Sequence, residues 1–263
     1  MHPIRIGTCG WSYADWCGVF YPEEVPPGEY LSYYAERYPA VEVDSTFYRS
    51  PGRKLVEGWR DKTPDSFGFS LKVPKTITHD KVLVECRKEL NEFLTAARVL
   101  ENKLTCCLLQ FGYFNRSAFA SLDDFLARLD PFLATWPRDV PLAVEIRNKN
   151  WMVPKFLDML RAHQAAWALA DQAWVPSPLS LVKKCDVITG PLAYVRLLGD
   201  REEVDKLTQT LDHTVIDRGR QIRDDAFAIR TLSERVPVLG FVNNHFAGYA
   251  PDTVRRLLEE LGT

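Results

Sequence analysis

A chain of 263 residues, 46% hydrophobic and 26% charged, has the size and composition of one large α/β domain or two modest ones, not of a disordered or fibrous protein. The formal net charge of -2 gives no electrostatic reason to expect nucleic acid or an anionic membrane as a partner. No run approaches the roughly 18 apolar residues of a membrane span, and Met1-His-Pro-Ile-Arg5 lacks the apolar core of a signal peptide, so a cytoplasmic location is expected.

Short apolar runs alternate with segments of helical periodicity along the whole chain. The first predicted strand is Ile4–Cys9, followed by Gly10-Trp11, a long aromatic loop over about 11–28 and a helix over about 29–38. Val41–Ser45 is the second strand, with a helix over 53–62 after it. The third is Phe67–Val73; its loop carries Thr78-His79, and a helix spans about 84–100. The fourth is Leu104–Phe111, with a helix over about 121–135. The fifth is Pro141–Arg147, with a helix from Pro154 to His163, where proline suits a first helical turn. Ala165–Ala170 is the sixth, ending at Asp171, and Leu192–Leu197 the seventh, ending near Gly199. A helix over about 216–236, the eighth strand Val238–Val242 and a last helix over 251–261 complete the chain. Eight strands alternating with helices predict a single (β/α)8 TIM-type barrel over 1–263. An open dinucleotide-binding sheet is the alternative, but no G-x-G-x-x-G follows the first strand.

In such barrels the chemistry sits at the carboxyl ends of the strands. Strand residues alternate faces, which places the ionised side chains of a core strand with its smaller, inward residues. The inner set so predicted holds Glu42 and Asp44, Lys72, Gln110, Glu145 and Arg147, Arg196, and Asn243 or Asn244. Asp171 closes the sixth strand with its facing undecided. Three carboxylates and three cations on one barrel end read either as a self-neutralising plug or as a polar pocket. Cations converging from three different strands favour the pocket, since arginine's planar fork suits carboxylate or phosphate. Glu145 is the first candidate for acid–base work, being buried yet close to Arg147. Lys72 would bind an anion or, desolvated, serve as base or nucleophile. His79 and His245 lie just beyond strand ends, where histidines can shuttle protons. Of the loop aromatics, Trp11 and Tyr48 are placed in the pocket and the rest in packing.

With five histidines, two of them near the mouth, a multi-ligand zinc cluster is not expected. No cofactor is predicted, though Glu42, Asp44, Glu145 or Asp171 could hold a loosely bound Mg or Mn. The six cysteines form no C-x-x-C pair and read as buried thiols of a reducing compartment; Cys9 beside Gly10-Trp11 is the one with a motif-like setting.

Gly7-Thr-Cys-Gly-Trp-Ser-Tyr13, Val41-Glu-Val-Asp-Ser-Thr-Phe-Tyr-Arg49, Lys72 with Thr78-His79, Leu109-Gln-Phe111, Ala143-Val-Glu-Ile-Arg147 with Trp151, Tyr194-Val-Arg196 and Asn243-Asn244 stand in the order found in one family. On these segments, spread over nearly the full length, the chain resembles the YecE-like proteins that carry domain of unknown function 72. The resemblance implies a TIM-type barrel and carries over no established reaction. Cys9 stands where that pattern usually has serine, and Asp44 where asparagine is common. Asn148 and Leu198 replace histidines often found after the fifth and seventh strands.

The expected function is an enzyme acting by acid–base chemistry on a small polar, anionic or phosphorylated, hydroxylated metabolite. Arg147, Arg196 and Lys72 would hold the anion, Glu145 would move the proton, and Asn243 and Tyr48 would orient hydroxyls. The alternatives are an endonuclease-like barrel that stacks bases on the first loop, which the charge balance disfavours, and a non-catalytic ligand-binding barrel with the same pocket. No membrane partner is expected, and nothing in the composition sets an oligomeric state.

Overall fold

The structure, a computed structural model, describes residues 1–262. Its eight strands close into a parallel barrel in sequence order. They are β1 (Ile4–Cys9), β2 (Ala40–Val43), β3 (Gly68–Lys72), β4 (Leu104–Gln110), β5 (Leu142–Glu145), β6 (Ala166–Gln172), β7 (Ala193–Gly199) and β8 (Val238–Val242), with β1 pairing β8 to close the ring. The main helices are α1 (Tyr30–Ala35), α2 (Arg53–Asp61), α3 (Arg87–Ala97), α4 (Leu122–Thr135), α5 (Pro154–His163), α6 (Pro178–Lys184), α7 (Arg201–Asp205), α8 (Gly219–Ser233) and α9 (Ala250–Leu261). The TIM-type barrel expected from the alternation is therefore present. No helix among the described residues is long and apolar enough to cross a membrane.

Alternation explains the two-layered core. Outward residues such as Val41, Val43, Phe69, Leu71, Leu109, Val144 and Val195 are buried against the helices. Inward residues are mostly small: Ala40, Cys106, Ala143, Ala166 and Ala168 line the bore beside Tyr194 and Phe241, whose rings stand 5.3 Å apart. A barrel of this size has just enough interior for side chains, so small residues on several strands make room for two rings from neighbouring β7 and β8. Gly7 is needed outright: a Cβ there would lie 1.8 Å from the Ala40 carbonyl oxygen.

Helix ends follow local chemistry. Ser121 caps α4, accepting from Asp124 N while Asp124 returns a bond to Ser121 N, a reciprocal capping box. The short α6 and α7, absent from the sequence reading, start at Ser177 and Asp200, whose side chains accept backbone N–H groups. Helices of five to seven residues carry too few turns for periodicity to reveal.

The aromatic first loop packs. Trp16 and Tyr21 are fully buried, Tyr21 stacks on Tyr30 at 3.8 Å, and Tyr21 Oη donates to Trp11 O at 2.6 Å. Trp11 meets Trp59 of α2 edge-on at 5.7 Å, which fixes it in the wall of the loop.

β6 settles the facing of Asp171. Ala166 and Ala168 point inward, so Asp171 points out, toward Asp225 of α8. Burial first, and then the Asp171 carboxylate, push the Asp225 carboxyl well above its usual range, and Asp225 Oδ2 has no hydrogen-bond partner. A carboxyl raised in the folded state lends stability below its unfolded pKa of about 3.9 and loses it as pH rises toward the raised value. Asp225→Asn supplies an amide donor to Asp171, so it should stabilise the protein by about 1–3 kcal/mol at pH 7 and by less at pH 4. Thermal unfolding of both proteins at the two pH values checks this; equal or reduced stability at pH 7 would be the contrary result.

Candidate active site

At the carboxyl end of the barrel the ionised side chains form two tiers. The lower tier is closed. Arg196 on β7 is 2% exposed, and all three of its guanidinium nitrogens are engaged. Nε and Nη2 donate to Glu42 Oε2 and Oε1 at 2.9 and 2.6 Å, and Nη1 donates to Glu145 Oε2 at 2.6 Å. Tyr194 Oη donates to Glu42 Oε2 at 2.6 Å, so the Ser70 hydroxyl, also 2.6 Å away, donates to Tyr194. Burial alone would raise the Glu42 carboxyl, but Arg196, Lys72 and Tyr194 together hold it below its usual range. Burial likewise opposes the charge on Arg196, and Glu42 and Glu145 overcome it. This tier is self-neutralising: Arg196 is 2% exposed and each of its three nitrogens donates to a buried carboxylate, so it does not reach the open rim as the ligand contact expected of it.

The upper tier is open. β2 ends at Val43, two residues before its predicted end, and Asp44–Phe47 form a 3-10 turn. Thr46 pins that turn, its hydroxyl lying 2.8 Å from Val43 O and 2.7 Å from Lys72 O. Asp44 is thereby lifted onto the rim. Lys72 Nζ stands 3.5 Å from Asp44 Oδ1 and Arg196 Nη2 3.8 Å from it, yet this oxygen has no hydrogen-bond partner. Burial first, and then Glu42, push the Asp44 carboxyl up, against the pull of Lys72 and Arg196.

Phe47 organises the neighbouring groups. Lys72 Nζ lies 4.3 Å above its ring and the His79 imidazole meets the same ring edge-on at 5.1 Å. Burial, then the charges of Lys72 and Arg147, lower the His79 pKa, which keeps the imidazole neutral near pH 7. Its Nδ1 is 2.7 Å from the Thr78 hydroxyl. On the far side Arg147 Nε contacts Glu145 Oε1 at 3.3 Å, while its terminal nitrogens have no partner among the described residues. Both Glu145 oxygens thus serve arginines, and Glu145 is fully buried. Glu145 therefore has no oxygen left over for the proton-moving role expected of it, whereas Asp44 has a partly exposed side chain whose buried Oδ1 makes no hydrogen bond.

Other candidates are turned elsewhere. Asp171 faces α8, as described. Asn244 points outward and its Oδ1 accepts from Ala250 N at the start of α9. Asn243 Oδ1 accepts from His245 N at 2.9 Å, holding the turn after β8. Gln110 is buried and donates to Phe111 O. Tyr48 is 72% exposed and touches Phe47 edge-on, at the outer lip. Asn148, where a histidine was noted as common, binds the Phe114 backbone through both amide atoms, and Leu198 packs on the barrel interior. Neither position presents a group to the rim. Phe47 and Tyr194 are the contributors that sequence reading missed: Tyr194 alternates with Arg196, but Phe47 is out of step with inward Glu42 and Asp44 and comes under Lys72 only through the 3-10 turn.

Cys9, Glu42 and Asp44 are the one His/Cys/Asp/Glu cluster among the described residues, with ligand atoms within 4.8 Å of one another. Its chemistry suits Mg or Mn poorly. Burial and Glu42 push the Cys9 thiol up, so it stays protonated, and both Glu42 oxygens already accept from Arg196. The cations of the cluster are Arg196 and Lys72.

An eight-stranded parallel barrel with a sealed ion-pair floor and an open charged rim defines the class: a TIM-type barrel with a polar mouth. The chain belongs to the family described as "Protein of unknown function DUF72", whose model matches residues 5–263. It is 31% identical over 150 residues to the UPF0759 protein YecE of Escherichia coli K12, covering 56% of this chain and 50% of YecE. To the UPF0759 protein YunF of Bacillus subtilis it is 26% identical over 184 residues, covering 66% and 59%. The chain therefore spans about half the length of the curated relatives it matches. A DUF72 family protein from Thermotoga maritima superimposes with a TM-score of 0.78 at 25% identity, covering 100% of both chains.

Proposed function

We propose that this protein is an enzyme that binds a small, anionic, hydroxylated metabolite on the barrel rim and moves a proton with Asp44. The observation that carries the reading is Asp44 itself: a raised carboxyl on the rim turn, partly exposed, whose buried Oδ1 makes no hydrogen bond and lies between Lys72 and the sealed floor. A base works best when its pKa approaches the working pH, and a raised carboxyl moves in that direction. Lys72 and the free edge of Arg147 supply the positive charge for the anion, and neutral His79 supplies a second proton-transfer group. Glu42, Arg196 and Glu145 hold these groups in place from below. A sealed, low-dielectric floor strengthens each interaction above it.

Thermal unfolding against inorganic phosphate, small hydroxycarboxylates and sugar phosphates tests the anion site. A ligand at about 100 times its Kd adds about 2.7 kcal/mol, which for a domain of this size is roughly 5–10 °C. The wild type should show such a shift with at least one of these anions, and Lys72→Met should lose most of it. Equal shifts in both proteins would remove Lys72 from the site, and no shift with any anion would overturn the reading.

A further inference from the structure

Beside the rim, the loops after β4, β5 and β6 enclose a cleft of about 450 Å³ lined by Tyr113, Arg147, Lys149, Gln172 and Trp174. Two of its walls are large rings held out to solvent: Tyr113 is 72% exposed and Trp174 88%. Exposed tryptophan is costly to leave in water, and this one also sits at φ +77°, in the left-handed region that bulky side chains rarely adopt. Backbone held there against its own preference, presenting an indole into a cleft, is the pattern of a ligand-binding loop. The third wall is Arg147. Its Nε is fixed on Glu145 and its terminal nitrogens are free, so the guanidinium presents an unpaired edge, with the exposed Lys149 on the same cleft.

We infer that this cleft binds a planar unsaturated ring carrying a carboxylate or phosphate, with the ring against Tyr113 and Trp174 and the anion on Arg147. The chemistry separates this ligand from a bare sugar. A hydroxylated ring needs both donors and acceptors around it, whereas beside its two cations, Arg147 and Lys149, this cleft offers two arenes, Val175 and a single uncharged amide, Gln172. Arenes stack on flat π-faces, and a cation adjoining the stack selects an anionic substituent. The inference rests on the reading of Arg147 as an anion holder and adds what the anion is attached to.

Calorimetric titration with phenyl phosphate, inorganic phosphate and glucose 6-phosphate tests it on the wild type, Tyr113→Ala and Trp174→Ala. Both rings are exposed loop residues, so neither variant threatens the fold. Phenyl phosphate should bind roughly tenfold more tightly than the other two, and each variant should lose most of that advantage while its affinity for inorganic phosphate stays unchanged. Equal affinity for phenyl phosphate and inorganic phosphate would overturn the ring site and leave the anion reading standing. Glucose 6-phosphate binding as tightly as phenyl phosphate would replace the arene with a sugar ring. Binding of none of the three would overturn this inference and Arg147 as anion holder together.

Discussion

Arg196→Met is expected to destabilise the protein by about 3–5 kcal/mol, the cost of leaving buried carboxylates without their cation. For a domain of this size that lowers Tm by roughly 10 °C. The reason is the geometry of the floor: Glu42 and Glu145 are both fully buried, and one guanidinium serves three of their four oxygens. Methionine fills much of the space but donates nothing. Adding Glu42→Gln and Glu145→Gln to Arg196→Met removes the unpaired charges, so the triple variant should recover a large part of the loss despite two further substitutions. Differential scanning calorimetry of the three proteins decides it. If the triple variant is less stable than Arg196→Met alone, packing rather than charge compensation holds the floor together.

The second large effect falls on turnover. On a substrate that the protein converts, Asp44→Asn should lower kcat by about 10²–10⁴-fold, the usual contribution of a positioned acid or base. Asparagine matches aspartate in size and keeps contacts with Thr46's turn, so stability should change little. The pH profile gives the sign. As a base, Asp44 works when ionised, so activity falls as pH drops through its raised pKa, and the acid limb lies above the ordinary aspartate value of about 3.9. That limb should vanish in Asp44→Asn. An unchanged limb with unchanged kcat would assign it to another group, with the His79 imidazole on the far edge of Phe47 the next candidate.

The fold was legible because period-two alternation and chain order are local signals. The expected strands Ile4–Cys9 and Val238–Val242 have the observed ends, whereas the expected Ala165–Ala170 starts one residue before β6 and stops two residues short of its end at Gln172. Alternation also placed Glu42, Lys72, Glu145, Arg147 and Arg196 on the inner face. What it could not convey is depth along the bore. Arg196 and Arg147 read alike as inward arginines, yet one is sealed beneath the rim at 2% exposure and the other has a free edge. Depth depends on barrel stagger, a property of the closed sheet rather than of any one strand. Asp44 was read as the fourth position of a strand, and the 3-10 turn that lifts it to the rim depends on Thr46 reaching the Lys72 carbonyl 26 residues away. Tyr113 and Trp174 lie in loops without periodicity, so their shared cleft appears only once three loops are brought together.

Asp44 is a raised carboxyl, and an anion held on the rim would act on it directly. Carbon-13 NMR of selectively labelled aspartate carboxyls, with the Asp44 resonance assigned by its loss in Asp44→Asn, measures this without a known substrate. Asp44 should titrate clearly above the ordinary value of about 3.9 and move higher when inorganic phosphate is added, because a bound anion further disfavours its charge. Titration at or below that value, with no response to phosphate, would contradict the account.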